Sequence, residues 1–367
     1  MPSLLLGHEK IELERKSPLD QLTSMRFFAA LYVLVLHSGS TMLVGHVPTW
    51  AANFLRNGYL GVSFFFILSG FILTYSYSGR EIDGALVKSF FTARFARIYP
   101  VYFLALLIIA PLSIISARSI SQFLLLQYWM PIRDASQDNW NIPGWTLSVE
   151  FFFYLSFPMW LRITRNLSGG ALIALITGCV VLIVALRLPT MMMDKPGIMH
   201  LWAAQFPLPI LRLPEFLYGI LLARLFHLRP MCPAAAPLLA TSIILSIIAL
   251  SISQSALDAS VVGVLFGLII FFGASDRGSF LHRAMTLRTL VLLGSASYAL
   301  YILQVPVRSW TKVLFPGNLD WMGRGLYYPV VFTISVTVFA FYEEPVREWI
   351  KSAARVTAKQ KTTSAVN

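Results

Sequence analysis

The chain has 367 residues, of which 57% are hydrophobic and 13% charged, about half the charged share of a typical soluble domain. That much apolar surface excludes a soluble globular protein and makes a lipid bilayer the solvent for most of the chain. The formal net charge of +12 fits cytoplasmic loops, where Lys and Arg collect; no basic stretch carries the interleaved aromatics of a nucleic-acid site, so nucleic acid is not expected as a partner.

Residues 1–18, with Lys10, Glu12, Glu14, Arg15 and Lys16, read as a polar cytoplasmic tail rather than a cleavable signal peptide. Ten apolar segments follow, at 27–45, 60–78, 98–116, 145–161, 171–187, 208–226, 235–253, 259–274, 290–307 and 326–342. Each is near the roughly 20 residues that a spanning helix needs. The expected fold is all-α: a polytopic transmembrane bundle of about ten helices. The membrane domain covers 19–345, and 346–367 form a basic cytoplasmic tail. The two cysteines, Cys179 and Cys232, allow no disulfide framework or zinc spacing, and no metal site is expected.

An ionisable group inside a span is costly, and each is a functional candidate. The first segment carries His37 near its middle; a neutral histidine bonded to a neighbouring helix is the structural alternative. Arg26 precedes it by eleven residues, so the two share a helix face, offset by about 20° and separated by about 16 Å along the axis. Arg26 is either a rim arginine snorkelling to lipid phosphate or an anchor for a phosphorylated ligand whose reactive end reaches His37. The second segment holds Ser69 in Leu68-Ser69-Gly70-Phe71, where small residues favour close helix packing. The polar loop 79–97 brings Arg94 and Arg97 to one face if it is helical, as topological charges or as phosphate forks.

The outer loop 117–144 ends in Trp140-Asn141-Ile142-Pro143-Gly144, a turn that opens the fourth segment. That segment holds Trp145, Ser148 and Glu150. Counted from the outer edge, Glu150 and His37 lie within a few ångströms in depth, so Glu150 either orients the imidazole or pairs elsewhere. Glu215, beside Arg212, is another intramembrane carboxylate, and Tyr298 opens the ninth segment after Gly294-Ser295-Ala296-Ser297. Ser69, Trp145, Ser148, Glu215 and Tyr298 are expected in structural or substrate-lining roles. With the N-terminus inside and strict alternation, 20 of the 29 basic residues fall on the inner side, which favours both termini in the cytoplasm.

Five blocks in order resemble one family. They are Leu19-Asp20-Gln21-Leu22 leading to Arg26 and His37; Gly61 to Phe71; Trp145-Thr146-Leu147-Ser148-Val149-Glu150; Ser297-Tyr298-Ala299-Leu300-Tyr301; and Tyr342-Glu343-Glu344-Pro345. Together they resemble the acyltransferase 3 family of bacterial membrane acyltransferases over almost the whole length. The chain departs from many members in having Leu303-Gln304 where they carry a histidine. It is also expected to lack the extracytoplasmic hydrolase-like domain of some members, which implies transfer directly or through a separate partner.

The resemblance implies an O-acyltransferase in the bacterial inner membrane. Its donor cosubstrate is acetyl-CoA or another acyl-CoA, with no permanently bound cofactor, and its acceptor is a carbohydrate or lipid-linked glycan. Arg26, Arg94 and Arg97 would hold CoA phosphates, His37 would act as general base or acyl relay, and Glu150 would orient it. A secondary transporter or flippase also places charges at mid-membrane, and is the alternative from another class.

Overall fold

The computed structural model describes residues 19–38, 46–116, 119–129, 139–186, 208–230, 232–252, 256–315 and 321–364. Among these, every regular element is a helix. Helix α1 (Asp20–Ser38) opens the bundle. A short α2 (Thr49–Arg56) passes through a 3-10 turn into α3 (Gly61–Tyr77), and α4 covers Gly84–Ile109. After the short α5 (Ser119–Phe123) come α6 (Gly144–Ile163), α7 (Gly169–Ala185), α8 (Leu208–Leu228), α9 (Ala235–Ile252) and α10 (Ala256–Ser275). Then follow α11 (Phe280–Met285), α12 (Arg288–Ser295), α13 (Ser297–Leu314), α14 (Trp321–Val338), a π-helical turn (Phe339–Glu343) and α15 (Glu344–Ser364).

Four of these stretches are long and apolar enough to cross a membrane: Thr49–Tyr77, Gly84–Leu112, Ala235–Ile252 and Leu326–Ala354. A fifth is the pair α12 and α13, bent by 54° at Ala296. Helices occupy the other predicted segments too, but they are shorter or less apolar. The lipid-facing character is plain on α7 and α9, where Ile173, Val181, Ile244 and Ile248 are exposed. Such rows of exposed aliphatics belong in hydrocarbon, and the chain is an integral membrane protein.

Two boundaries differ from the sequence reading. Helix α4 begins at Gly84, where the Asp83 side chain accepts from the backbone NH of Leu86 at 2.7 Å, an N-cap. The stretch expected as loop 79–97 is therefore helical over most of its length, because its charged residues are good helix formers and its buried Phe90 and Ala96 pack into the bundle. Within the described residues α1 ends at Ser38, so His37 lies in its last turn. Residues 39–45 of the predicted first segment, and the tail 1–18, lie outside the described residues.

Side-chain contacts gather the ends of several helices on two opposite sides. Gln21, at the start of α1, donates to the carbonyl of Gly273, at the end of α10, at 3.1 Å. Arg224, at the end of α8, reaches Ser78 after α3 at 3.2 Å and the carbonyl of Thr164 after α6 at 3.0 Å. At the opposite side, Asn57 donates to Leu250 near the end of α9 at 2.9 Å. Ser38, ending α1, bonds the hydroxyl of Tyr328 in α14 at 2.9 Å. The α3–α8 crossing is the closest of these packings. A Cβ on Gly70 would stand 2.1 Å from the Phe216 carbonyl oxygen, and one on Gly219 would stand 1.9 Å from that of Ile67. Only glycine fits either position.

Candidate active site

Helices α1, α3, α4, α6 and α13 enclose a cavity of about 230 Å³. Its polar wall comprises Arg26 from α1, Ser69 from α3, Arg94 and Arg97 from α4, Glu150 from α6 and Tyr298 from α13. Six side chains that the sequence marks singly are thus neighbours. The extension of α4 toward its N-terminus is what carries Arg94 and Arg97, three residues apart, into the bundle on one face.

Glu150 anchors this wall. Its Oε1 accepts from the Ser69 hydroxyl at 3.2 Å and from the Tyr154 hydroxyl one turn along α6. The Arg94 guanidinium lies 5.9 Å from the Tyr154 ring centre and 6.0 Å from that of Phe90, within cation–π range. Tyr298 donates to the carbonyl of Ile98 at 2.7 Å, which ties the start of α13 to α4 one residue past Arg97. Arg26 interacts electrostatically with Arg97, Glu150 and Glu343. Arg94 Nε and Arg97 Nη2 are buried with no hydrogen-bond partner. Desolvated guanidinium donors of that kind are costly unless an anion meets them.

The cavity is a shaft. Its apolar lining runs from Val62 to Leu73 along α3 and from Thr146 to Tyr154 along α6, about 16 Å and 12 Å. Arg94 and Tyr154 mark the end nearer the start of α1; Val62, Thr146 and Tyr301 mark the other. The latter end is level with Ala29 and Val33, because a Cβ on Gly61 would stand 2.9 Å from atoms of both. His37 is about one turn further along α1.

His37 does not line this shaft. Its backbone carbonyl accepts from the Arg308 guanidinium, and the two side chains interact electrostatically. No hydrogen bond or ion pair joins His37 to Glu150 among the described residues. Residue counting put the two at nearly the same depth, and the structure does not: Glu150 bonds Ser69, eight residues or about 12 Å along α3 from Gly61 toward the start of α1, whereas His37 lies past Ala29 and Val33 in the opposite direction.

Three other candidates also lie off the shaft. Glu215 Oε1 accepts from Arg212 Nη1 at 2.7 Å and from the Ser63 hydroxyl at 3.0 Å, in a buried ion pair. Trp145 lies 5.6 Å beneath the Arg212 guanidinium. Ser148 accepts from the Tyr128 backbone NH at 3.3 Å, and its carbonyl accepts from the Trp129 indole at 3.1 Å, which holds the 119–129 segment on α6. Sequence reasoning gave no role to Tyr154 or Arg308, and met Glu343 only as part of the closing block. Tyr154 was findable from its i+4 spacing to Glu150; Arg308 and Glu343 gave no local signal of which helix they face.

Residues 19–342 match the family described as an acyltransferase domain. The chain belongs to this acyltransferase family. Among its relatives, the acyltransferase MdmB of Streptomyces mycarofaciens is 29% identical over 330 residues, covering 83% of this chain and 82% of the relative. Nodulation protein 10 of Rhizobium leguminosarum bv. viciae is 32% identical over 178 residues, 41% of this chain and 46% of the relative. The peptidoglycan O-acetyltransferase OatA of Listeria monocytogenes is 22% identical over 333 residues, 82% of this chain and 52% of the relative, so the chain spans about half of that protein. No solved structure matches. The acyltransferase is therefore an enzyme, and the transporter alternative falls.

Proposed function

We propose that this acyltransferase moves an acyl group, acetyl in the first instance, from cytoplasmic acyl-CoA to a hydroxyl of a carbohydrate or lipid-linked glycan. The observation that carries the reading is the three-arginine shaft, with two unpartnered guanidinium nitrogens at Arg94 and Arg97. Arginine forks suit the phosphates of CoA, and apolar walls such as Val62, Phe65 and Ile72 suit its pantetheine arm. Acyl-CoA is a cosubstrate here, spent in each turnover. The name of the Listeria relative, a peptidoglycan O-acetyltransferase, supports a glycan hydroxyl as acceptor.

The thioester then lies toward the far end of the shaft, within reach of His37. His37 takes the proton of the acceptor hydroxyl as its oxygen attacks the thioester carbonyl. The new C–O bond forms, the C–S bond breaks, and the departing CoA sulfur takes the proton from the imidazolium. Glu150, held by Ser69 and Tyr154, balances the arginines in place of the His37-orienting role that depth suggested. The accompanying topology is ten spans with both termini in the cytoplasm of a bacterial inner membrane, with 19–345 as the catalytic domain.

A second reading has one observation behind it: Glu150 lines the shaft and His37 does not. In that case Glu150 is the base. Purified His37→Ala and Glu150→Gln variants, matched for membrane level, separate the two. In the first reading His37→Ala lowers kcat about a hundredfold or more, while Glu150→Gln acts mainly on the KM for acyl-CoA. The reverse pattern selects Glu150, and full activity in both variants removes both readings.

A further inference from the structure

Among the described residues, Glu343 is a fully enclosed carboxylate beside the shaft's arginines that the transfer reaction does not use. It is 1% exposed, and both of its carboxylate oxygens are buried without a hydrogen-bond partner. It closes the π-helical turn Phe339–Glu343, a distortion frequent at functional sites. The Tyr342 hydroxyl donates to the carbonyl of Pro100 at 3.4 Å, which pins this turn to α4 one helical turn past Arg97. Glu343 interacts electrostatically with Arg97, Arg26 and Arg347. It is absent from the shaft wall that Arg26 and Arg97 help to form.

The charges around the shaft make sense together. Arg26, Arg94 and Arg97 bring three positive charges into an apolar bundle, and Arg26 and Arg97 repel one another. Glu150 and Glu343 bring two negative charges, leaving a net charge of one. Without counter-charges, an empty shaft would hold three bare guanidinium groups at membrane depth, which is strongly unfavourable. Glu150 is committed to Ser69 and Tyr154. Glu343 makes no such bond and acts on the arginines through its charge alone.

We propose that Glu343 is the built-in counter-anion of the arginine shaft, a positioning residue that supports Arg26 and Arg97 when the shaft is empty and competes with the anionic groups of the donor when it fills. The role rests on the reading that the arginines hold CoA phosphates. It makes the donor bind less tightly than the arginines alone would allow, which lets spent CoA leave after transfer. Loss of the charge therefore tightens donor binding, whereas loss of a merely structural residue would weaken it.

The test is equilibrium binding of CoA to the purified full chain in detergent, for wild type, Glu343→Gln, Glu343→Asp and Arg26→Ala. Glu343→Gln is expected to bind CoA about tenfold more tightly, with a lower KM for acetyl-CoA and an unchanged KM for the acceptor. Glu343→Asp keeps the charge and stays near wild type. Without ligand, Glu343→Gln unfolds at a lower temperature, and CoA restores it by more than it shifts wild type. If wild type binds CoA, Arg26→Ala loses it and Glu343→Gln binds no more tightly, the role of Glu343 is overturned and the donor site stands. If wild type binds no CoA, the donor site and the role of Glu343 fall together. Should Glu343→Gln fail to fold, Glu343→Asp decides: affinity well away from wild type with the charge retained overturns the proposal.

Discussion

At the scale of single residues, the charges marked in the sequence fall into two separate groups, the shaft with Arg26, Arg94, Arg97 and Glu150 and the Arg212–Glu215 pair. Arg26, Arg94, Arg97 and Glu150 stood out in the sequence because lipid penalises them, and they share one shaft. Glu215 stood out for the same reason and belongs elsewhere, in a buried pair with Arg212 at 2.7 Å. Removing one member of such a pair strands a buried charge, so Arg212→Ala is expected to cost about 3–5 kcal/mol of stability. Thermal unfolding in detergent reads that loss. The double variant Arg212→Gln/Glu215→Gln should recover much of it, since neither charge is then left alone. Acyl transfer per folded molecule should survive, because neither side chain lines the shaft. His37 shows the limit of depth arguments. Residue counting put it level with Glu150, but Glu150 bonds Ser69 well toward the start of α1; the placing of Arg308 beside His37 depends on how α1 and α13 are rotated against each other, which no local pattern records.

At the scale of elements, hydrophobicity located the helices and misjudged where α4 starts. Its first turns carry Lys88, Arg94 and Arg97, which lower the apolar average below that of a span, yet Asp83 caps the helix and Phe90 anchors it. The break between α12 and α13 at Ala296 was signalled only as the small-residue run Gly294-Ser295-Ala296-Ser297, and it sets Tyr298 against Ile98 beside Arg97. The α3–α8 crossing gives a clean test of packing. Gly70→Ala would push a methyl group to 2.1 Å from the Phe216 carbonyl oxygen, and overpacking of this kind costs about 1–3 kcal/mol. Gly178, in the middle of α7, has nothing within 4 Å of its would-be Cβ, so Gly178→Ala should be neutral or stabilising by up to about 1 kcal/mol. Unfolding midpoints of the two variants should move in opposite directions or differ clearly in size; equal midpoints would contradict the close crossing.

At the scale of the whole molecule, composition alone assigned the bilayer as solvent, and strict alternation of the helices is the course that the basic residues imply. The side-chain contacts that join Gln21 to Gly273 and Ser38 to Tyr328 are long-range in sequence, and so were beyond any segment-by-segment reading. The alternation predicts which loops face the cytoplasm. Native Cys232, between α8 and α9, should resist a membrane-impermeant maleimide in intact spheroplasts and react after permeabilisation. A Ser113→Cys variant, placed after α4, should react in both. The reverse labelling would invert the topology and put the arginine end of the shaft outside, away from cytoplasmic acyl-CoA. The central claim, that the shaft carries acyl-CoA with its thioester toward His37, is tested most directly by photo-cross-linking. An acyl-CoA bearing a photoreactive acyl chain is bound to the purified protein, and the adducts are mapped by mass spectrometry. Adducts at the Val62, Thr146 and Tyr301 end of the shaft or at His37, abolished by excess CoA, are the predicted result; adducts confined to α11 or α15, or indifferent to CoA, would contradict it.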